Sequence, residues 1–144
     1  MRSYPVLGWR ETIALPEFGL AAIPAKIDTG ARTSALHATH IELVEQGGVA
    51  LVRFRIDLGH GDETPVCEAH HVSRRRITSS NGQAEERLVV TTTLELGGEL
   101  FDAEFSLTDR SDMIHPVLVG RKALARRFLV DASRTYLRSA TKAP

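Results

Sequence analysis

Lys26-Ile27-Asp28-Thr29-Gly30-Ala31 decides the fold of this chain: an apolar strand that ends in a carboxylate, a hydroxyl and two residues with almost no side chain. An acid at the end of a buried strand is held rigidly, and the Gly after it permits a tight turn and close approach of another backbone. That arrangement suits acid/base chemistry on water. The same three residues also make an ordinary turn, because Asp and Gly favour turns and the Asp side chain caps its own backbone.

A second stretch separates these readings. Pro116-Val117-Leu118-Val119-Gly120-Arg121 is a branched apolar run closed by Gly, followed by a short helical pattern with Leu124 and Phe128 four residues apart. The pair of segments resembles the retropepsin-like aspartic peptidases, in which an Asp-Thr-Gly-Ala turn carries the catalytic acid. In that family a later apolar-Gly strand packs beneath the turn, ahead of a short helix.

Further segments extend the resemblance over nearly the whole chain. Gly8-Trp9-Arg10-Glu11, Asp28 to His37, Leu107-Thr108-Asp109-Arg110, Leu118-Val119-Gly120-Arg121 and Phe128-Leu129-Val130-Asp131 are similar to one bacterial branch of the family. That branch carries the label ATP-dependent zinc protease and is associated with an ATP-grasp glutamate ligase that modifies a ribosomal protein. The metal and the nucleotide in the label need residues of their own.

Outward from the acid, most of the chain has the period of strands. Trp9 to Leu15 and Leu20 to Ile27 flank a turn at Pro16-Glu17-Phe18-Gly19, and Pro24 predicts an edge or a bulge in the second strand. Ile41 to Val44 and Val49 to Leu58 flank Glu45-Gln46-Gly47-Gly48, with Val52, Phe54, Ile56 and Leu58 alternating against Arg53, Arg55 and Asp57. Leu88 to Leu96 and Leu100 to Leu107 meet at Gly97-Gly98, with Phe101, Ala103, Phe105 and Leu107 on one face. Many short strands, Gly turns and one short C-terminal helix predict an all-β sandwich or barrel. The resemblance makes it a closed acid-protease-like barrel, one domain over 1–144.

Arg74 to Arg87 is polar and centred on Asn81-Gly82, a strong hairpin signal. Its place in the chain, after the acid and before the apolar-Gly strand, is where retropepsins have the flap that covers bound peptide. Ser79, Ser80, Asn81 and Gly82 are therefore expected substrate contacts; the plain alternative is a solvated hairpin.

Bulk properties narrow the function. The 144 residues carry 18 basic and 18 acidic side chains, a balance that gives no electrostatic case for nucleic acid or membrane as a partner. One cysteine, Cys67, excludes an internal disulfide and fits a reducing compartment. The N-terminal residues lack the apolar segment of a signal peptide and no run reaches membrane-spanning length, so the expected location is the cytoplasm.

Peptide hydrolysis by this chemistry needs two carboxylates that share a proton, one activating water and the other protonating the carbonyl oxygen. The chain has one Asp-Thr-Gly. The resemblance implies a symmetric homodimer with Asp28 from each copy, titrating as a coupled pair, and a peptide or protein substrate. It also implies that Thr29 braces the two turns, Gly30 receives substrate backbone, and Ser34 is a buried family hydroxyl. Leu118, Val119, Gly120 and Arg121 would form the supporting strand. Ala31 replaces the Ser of pepsin-like relatives, which predicts a less acidic optimum. Arg32 stands where retropepsins often carry an acid, which suggests acidic substrates. Terminal strands, including Arg134 to Arg138, are candidates for the dimer contact, as in related dimers.

No cofactor is expected. His37 and His40 form His-x-x-His, and Cys67, His70 and His71 a second cluster, and these are the zinc candidates. The metallopeptidase pattern His-Glu-x-x-His and the P-loop pattern are absent, so an ATP requirement would belong to a partner such as the ligase. Three functions stay open: a homodimeric aspartic endopeptidase, a catalytically silent peptide-binding module of the ligase system, and a zinc metallopeptidase.

Overall fold

A computed structural model describes residues 3–59, 61–78, 82–109 and 114–139. The elements run β1 (Val6–Gly8), β2 (Arg10–Leu15), a 3-10 turn (Pro16–Phe18), β3 (Leu20–Ile27), β4 (Ser34–Gln46), β5 (Val49–Gly59) and β6 (Asp62–Glu63). They continue with β7 (Cys67–Thr78), β8 (Ala84–Leu96), β9 (Glu99–Thr108), β10 (Val117–Val119), α1 (Arg121–Leu124) and β11 (Leu129–Asp131). The all-β expectation with one short helix therefore holds.

Nine strands share one sheet in the order β2-β3-β10-β4-β9-β8-β7-β5-β6. Additional pairings of β2 with β8 and of β4 with β5 fold that sheet back on itself, while among the described residues β6 pairs only with β5. The core lies inside this curl. Phe54, Phe105, Leu36, Val52, Ile56, Leu94, Val117 and Val119 are fully buried, and Phe18 meets Phe54 edge-on at 5.6 Å. Alternation explains which faces turn inward: in β5, Val52, Phe54 and Ile56 are buried, and Arg53, Arg55 and Asp57 are not.

The hairpin turns follow from glycine. Gly97 and Gly98 have φ of +60° and +86°, and the strands pair Leu96 with Glu99 across them, so the two-residue loop requires left-handed conformations that side chains disfavour. Gly47 and Gly48 do the same between β4 and β5. Pro24 pairs with Thr12 of β2, and the β10 pairing begins only at Ala25, so its missing N–H costs no ladder bond.

β10 positions the site. It runs parallel to β3, in the register Val117 to Ala25 and Val119 to Ile27, and antiparallel to β4, pairing Leu118 with Ala35. One short strand is thus inserted between the two that flank the acid turn.

The ends of the described chain meet as well. β1 and β11 form a separate parallel pair. The residues expected as a terminal strand, Arg134 to Arg138, are not a strand but a strap: Arg134 O accepts from Trp9 N at 2.8 Å and Tyr136 N donates to Arg10 O at 2.8 Å. Glu11, fully buried, holds the strap. Its Oε2 accepts from Gly8 N (2.6 Å) and Leu137 N (2.9 Å), and its Oε1 from Arg138 N (3.2 Å) and the Ser139 hydroxyl (2.6 Å).

Candidate active site

Asp28 follows the last residue of β3 and is fixed from three sides. Its N–H donates to Val119 O at 2.8 Å, the preceding Ile27 N–H donates to Trp9 O at 2.7 Å, and Gly30 N–H donates to Asp28 Oδ1 at 2.9 Å. A last bond, from Ala31 N to Asp28 O at 3.2 Å, completes the turn. The backbone is anchored in the sheet and the carboxylate is half-buried, while Thr29 and Gly30 are exposed beside it. A carboxylate so placed is rigid, oriented by an amide and open to a ligand.

The turn rests on the residues after β10. Gly120 N–H donates to the Ser34 hydroxyl at 3.0 Å, and a Cβ at 120 would lie 2.9 Å from Ala31 O and from Thr33 C. Gly is needed here for space, since φ is an ordinary −96°. Ser34 is the satisfied buried hydroxyl expected from the sequence. Leu118 and Val119 lie in β10, but the expected four-residue strand stops there: Gly120 caps α1 and Arg121 is its first residue. From that position Arg121 donates through its N–H to Ala31 O (2.8 Å) and through Nη1 to Thr29 O (3.0 Å), and Lys122 N–H donates to Arg32 O (3.0 Å). The start of α1 thus clasps the acid turn, a role for the Arg121 side chain that the sequence did not signal.

Beside the turn opens a cleft of about 520 Å³. It is lined by Gly30, Ala31, Arg32 and Thr33 of the acid turn and its exit, by Arg75, Arg76, Ile77 and Thr78 of β7, and by Lys122 of α1. The expected flap is therefore the β7–β8 hairpin, paired as far as Thr78 with Ala84. Ser79, Ser80 and Asn81 lie outside the described residues; Gly82 follows them with φ of +84°. Buried Arg87 anchors the hairpin base, its Nε donating to Glu85 at 2.6 Å, while Thr108 donates to the same oxygen at 3.0 Å.

The cleft is cationic. Of the four basic residues that line it among the described residues, Arg75 and Lys122 share one acid: Glu104 Oε1 lies 2.9 Å from Arg75 Nη2 and 2.7 Å from Lys122 Nζ. The bond from Lys122, with Arg75 adding to it, holds the Glu104 carboxyl below the usual carboxylate range.

The five zinc candidates do not converge. His37 is buried, with Nδ1 at 3.8 Å from Asp57 and Nε2 at 4.0 Å from Asp109, so its two nitrogens face different carboxylates. His40 is exposed, with φ of +53° and Nδ1 3.1 Å from the Thr39 hydroxyl. Cys67 packs in the core against Thr64, and burial pushes its thiol up. His70 and His71 are adjacent on β7 and so point to opposite faces. Among the described residues no group of three or more His, Cys, Asp or Glu is arranged to hold a metal ion.

An all-β sheet whose Asp-Thr-Gly turn is clasped by an inserted apolar-Gly strand defines the retropepsin-like class. Residues 6–141 match the family described as RimB-like, retropepsin-like aspartic endopeptidase RimB, and the chain belongs to that family. Among curated proteins it is 37% identical over 133 residues to a "Probable alpha-L-glutamate ligase" of Shewanella pealeana, covering 91% of this chain and 29% of that protein. A protein of the same name from Desulfotalea psychrophila is 34% identical over 128 residues, covering 88% of this chain and 28% of its own length. The chain thus spans less than a third of these relatives. A crystal structure of a Legionella pneumophila protein with unknown function superposes with a TM-score of 0.82 at 28% identity, over 94% of this chain and 99% of that one.

Proposed function

We propose that this chain is an aspartic endopeptidase whose catalytic pair consists of Asp28 from each of two copies, and that it cleaves acidic peptides. The observation that carries the reading is the clamped Asp28 turn beside a cleft lined by Arg32, Arg75, Arg76 and Lys122. A rigid acid and a cationic groove are the two parts that hydrolysis of a carboxylate-rich peptide requires.

In the paired site, the ionised Asp28 takes a proton from water as the water oxygen attacks the peptide carbonyl carbon. The protonated Asp28 gives its proton to the carbonyl oxygen. Collapse of the tetrahedral intermediate moves a proton to the amide nitrogen and breaks the C–N bond. Thr29 and Gly30, exposed next to Asp28, face the partner copy and the substrate backbone, and the β7–β8 hairpin covers the peptide. The single Cys67 fits a reducing compartment, and the reading places the protein in the cytoplasm as one domain.

A second reading is favoured by the names of the longer relatives: a peptide-binding module that serves a glutamate ligase without hydrolysis. One set of measurements separates the two. Sedimentation is expected to show a dimer, and a Glu-rich peptide is expected to be cleaved, with and without a chelator. Asp28→Asn keeps the oxygen that accepts from Gly30 and so the fold, and it should lower cleavage by about 10³-fold or more, the scale of lost acid/base catalysis. Binding without cleavage by the unaltered protein would establish the second reading; undiminished cleavage by Asp28→Asn would remove the first.

A further inference from the structure

We infer that Glu104 sets the charge selectivity of the cleft by acting as an internal stand-in for a substrate carboxylate. The inference rests on the reading of the cleft as a peptide site. Glu104 is not among the residues lining the cleft, yet a single oxygen of it binds two of the four cations that are, Arg75 of β7 and Lys122 of α1.

Its own position is fixed. It sits on β9 between Ala103 and Phe105, both buried in the core, so its backbone is held in the sheet and its carboxylate can follow moving partners only as far as one side chain reaches. The partners are mobile by chemistry: Lys122 is half-exposed and Arg75 a third exposed, each on a long flexible stem. A peptide carboxylate entering the groove therefore competes with Glu104 for Arg75 and Lys122, while Arg32 and Arg76, both exposed, meet it without that competition. Glu104 weakens the grip on single acids. It also keeps Arg75 and Lys122 paired in the empty cleft, where two bare cations close together would repel.

Glu104→Gln tests this, since the amide oxygen still accepts from either cation and only the charge is lost. Binding of a fluorescein-labelled Glu-rich peptide, and of its Gln-substituted analogue, is measured by anisotropy across a range of salt. The expected result is acidic-peptide binding about three- to tenfold tighter at low salt and more steeply salt-dependent, with the neutral analogue unchanged. Glu104→Asp, which restores the charge, should return the affinity to that of the unaltered protein.

Equal weakening of both peptides, with a lower melting temperature, would make Glu104 a structural strut and overturn the inference. So would acidic-peptide affinity unmoved by Glu104→Gln, which leaves the peptide site itself intact. If no form of the protein binds either peptide, the reading of the cleft fails and this inference with it.

Discussion

Gly120 and Ser34 meet through a buried hydrogen bond, the Gly120 amide donating to the Ser34 hydroxyl at 3.0 Å, and this contact locks the start of α1 onto the strand that leaves the acid turn. Its two halves fail differently. Gly120→Ala would drive a methyl group to 2.9 Å from Ala31 O, an atom of the backbone that has no free end to swing away. The expected cost is about 1–3 kcal/mol, read as a lower urea midpoint with loss of any peptide cleavage. Ser34→Ala leaves the Gly120 amide buried without a partner and should cost about 1–3 kcal/mol with no steric change. Unaltered midpoints for both variants would show that the clasp does not hold the turn.

Glu11 provides a second prediction. Both of its oxygens accept from two donors each, so the NH₂ of a Gln must face two N–H or O–H groups whichever way it is turned. Glu11→Gln, although isosteric, should cost about 3 kcal/mol or more, the scale of unsatisfied buried groups around a charged acceptor. The strap at 137–139 should then exchange its amide hydrogens rapidly. Exchange as slow as in the unaltered protein would contradict this account.

Acid should weaken the fold through Glu17 and Glu104. The Thr93 amide, followed by the hydroxyls of Thr92 and Thr93, holds the Glu17 carboxyl below its usual value of 4.5, as Lys122 does for Glu104. A carboxyl depressed in the folded state stabilises the fold above its unfolded value, and that contribution disappears as pH falls through the folded value. Urea stability is therefore expected to be level from neutrality to about pH 5 and to fall below it. Glu17→Gln should be less stable at pH 7 and show a shallower acid limb. An acid limb identical to that of the unaltered protein would exclude Glu17 as its source.

Cys67 should be inert while the protein is folded. It is 7% exposed and burial raises its thiol, so little thiolate is available to a reagent. A disulfide reagent at pH 8 is expected to react slowly with the native protein and rapidly after denaturation. Prompt stoichiometric reaction of native protein would mean that the core around Thr64 opens readily.

Much of this was legible in the sequence where a local rule was strong. Paired glycines at 47–48 and 97–98 marked two hairpins, Leu20 to Ile27 was bounded as observed, and alternation from Val52 to Ile56 gave the buried face of β5. For β7 the sequence predicts only a hairpin from Arg74 onward, a flap or a solvated one, because the alternation of Cys67, Ala69 and His71 with Glu68 and His70 is a weak apolar signal. β4 was expected only from Ile41, yet it begins at Ser34. Its first five residues are buried on both faces between β10 and β9, so no period-two pattern marks them.

At the candidate site, motif and resemblance single out Asp28, Ser34 and Gly120 in the sequence. Glu104, the Arg121 side chain and the Glu11 cage do not stand out there, because each acts through partners far away in the chain. The β1–β11 pair was missed for the same reason: three-residue strands carry no period, and only the fold brings them together.

Arg121 and the Thr29 carbonyl it binds are separated by 92 residues. The acid turn therefore cannot be set until the chain has been made as far as Arg121, because β10 and α1, which clasp Asp28, follow it only after six intervening strands. Premature termination upstream of Val117 would yield a product that carries the motif without the elements that set it.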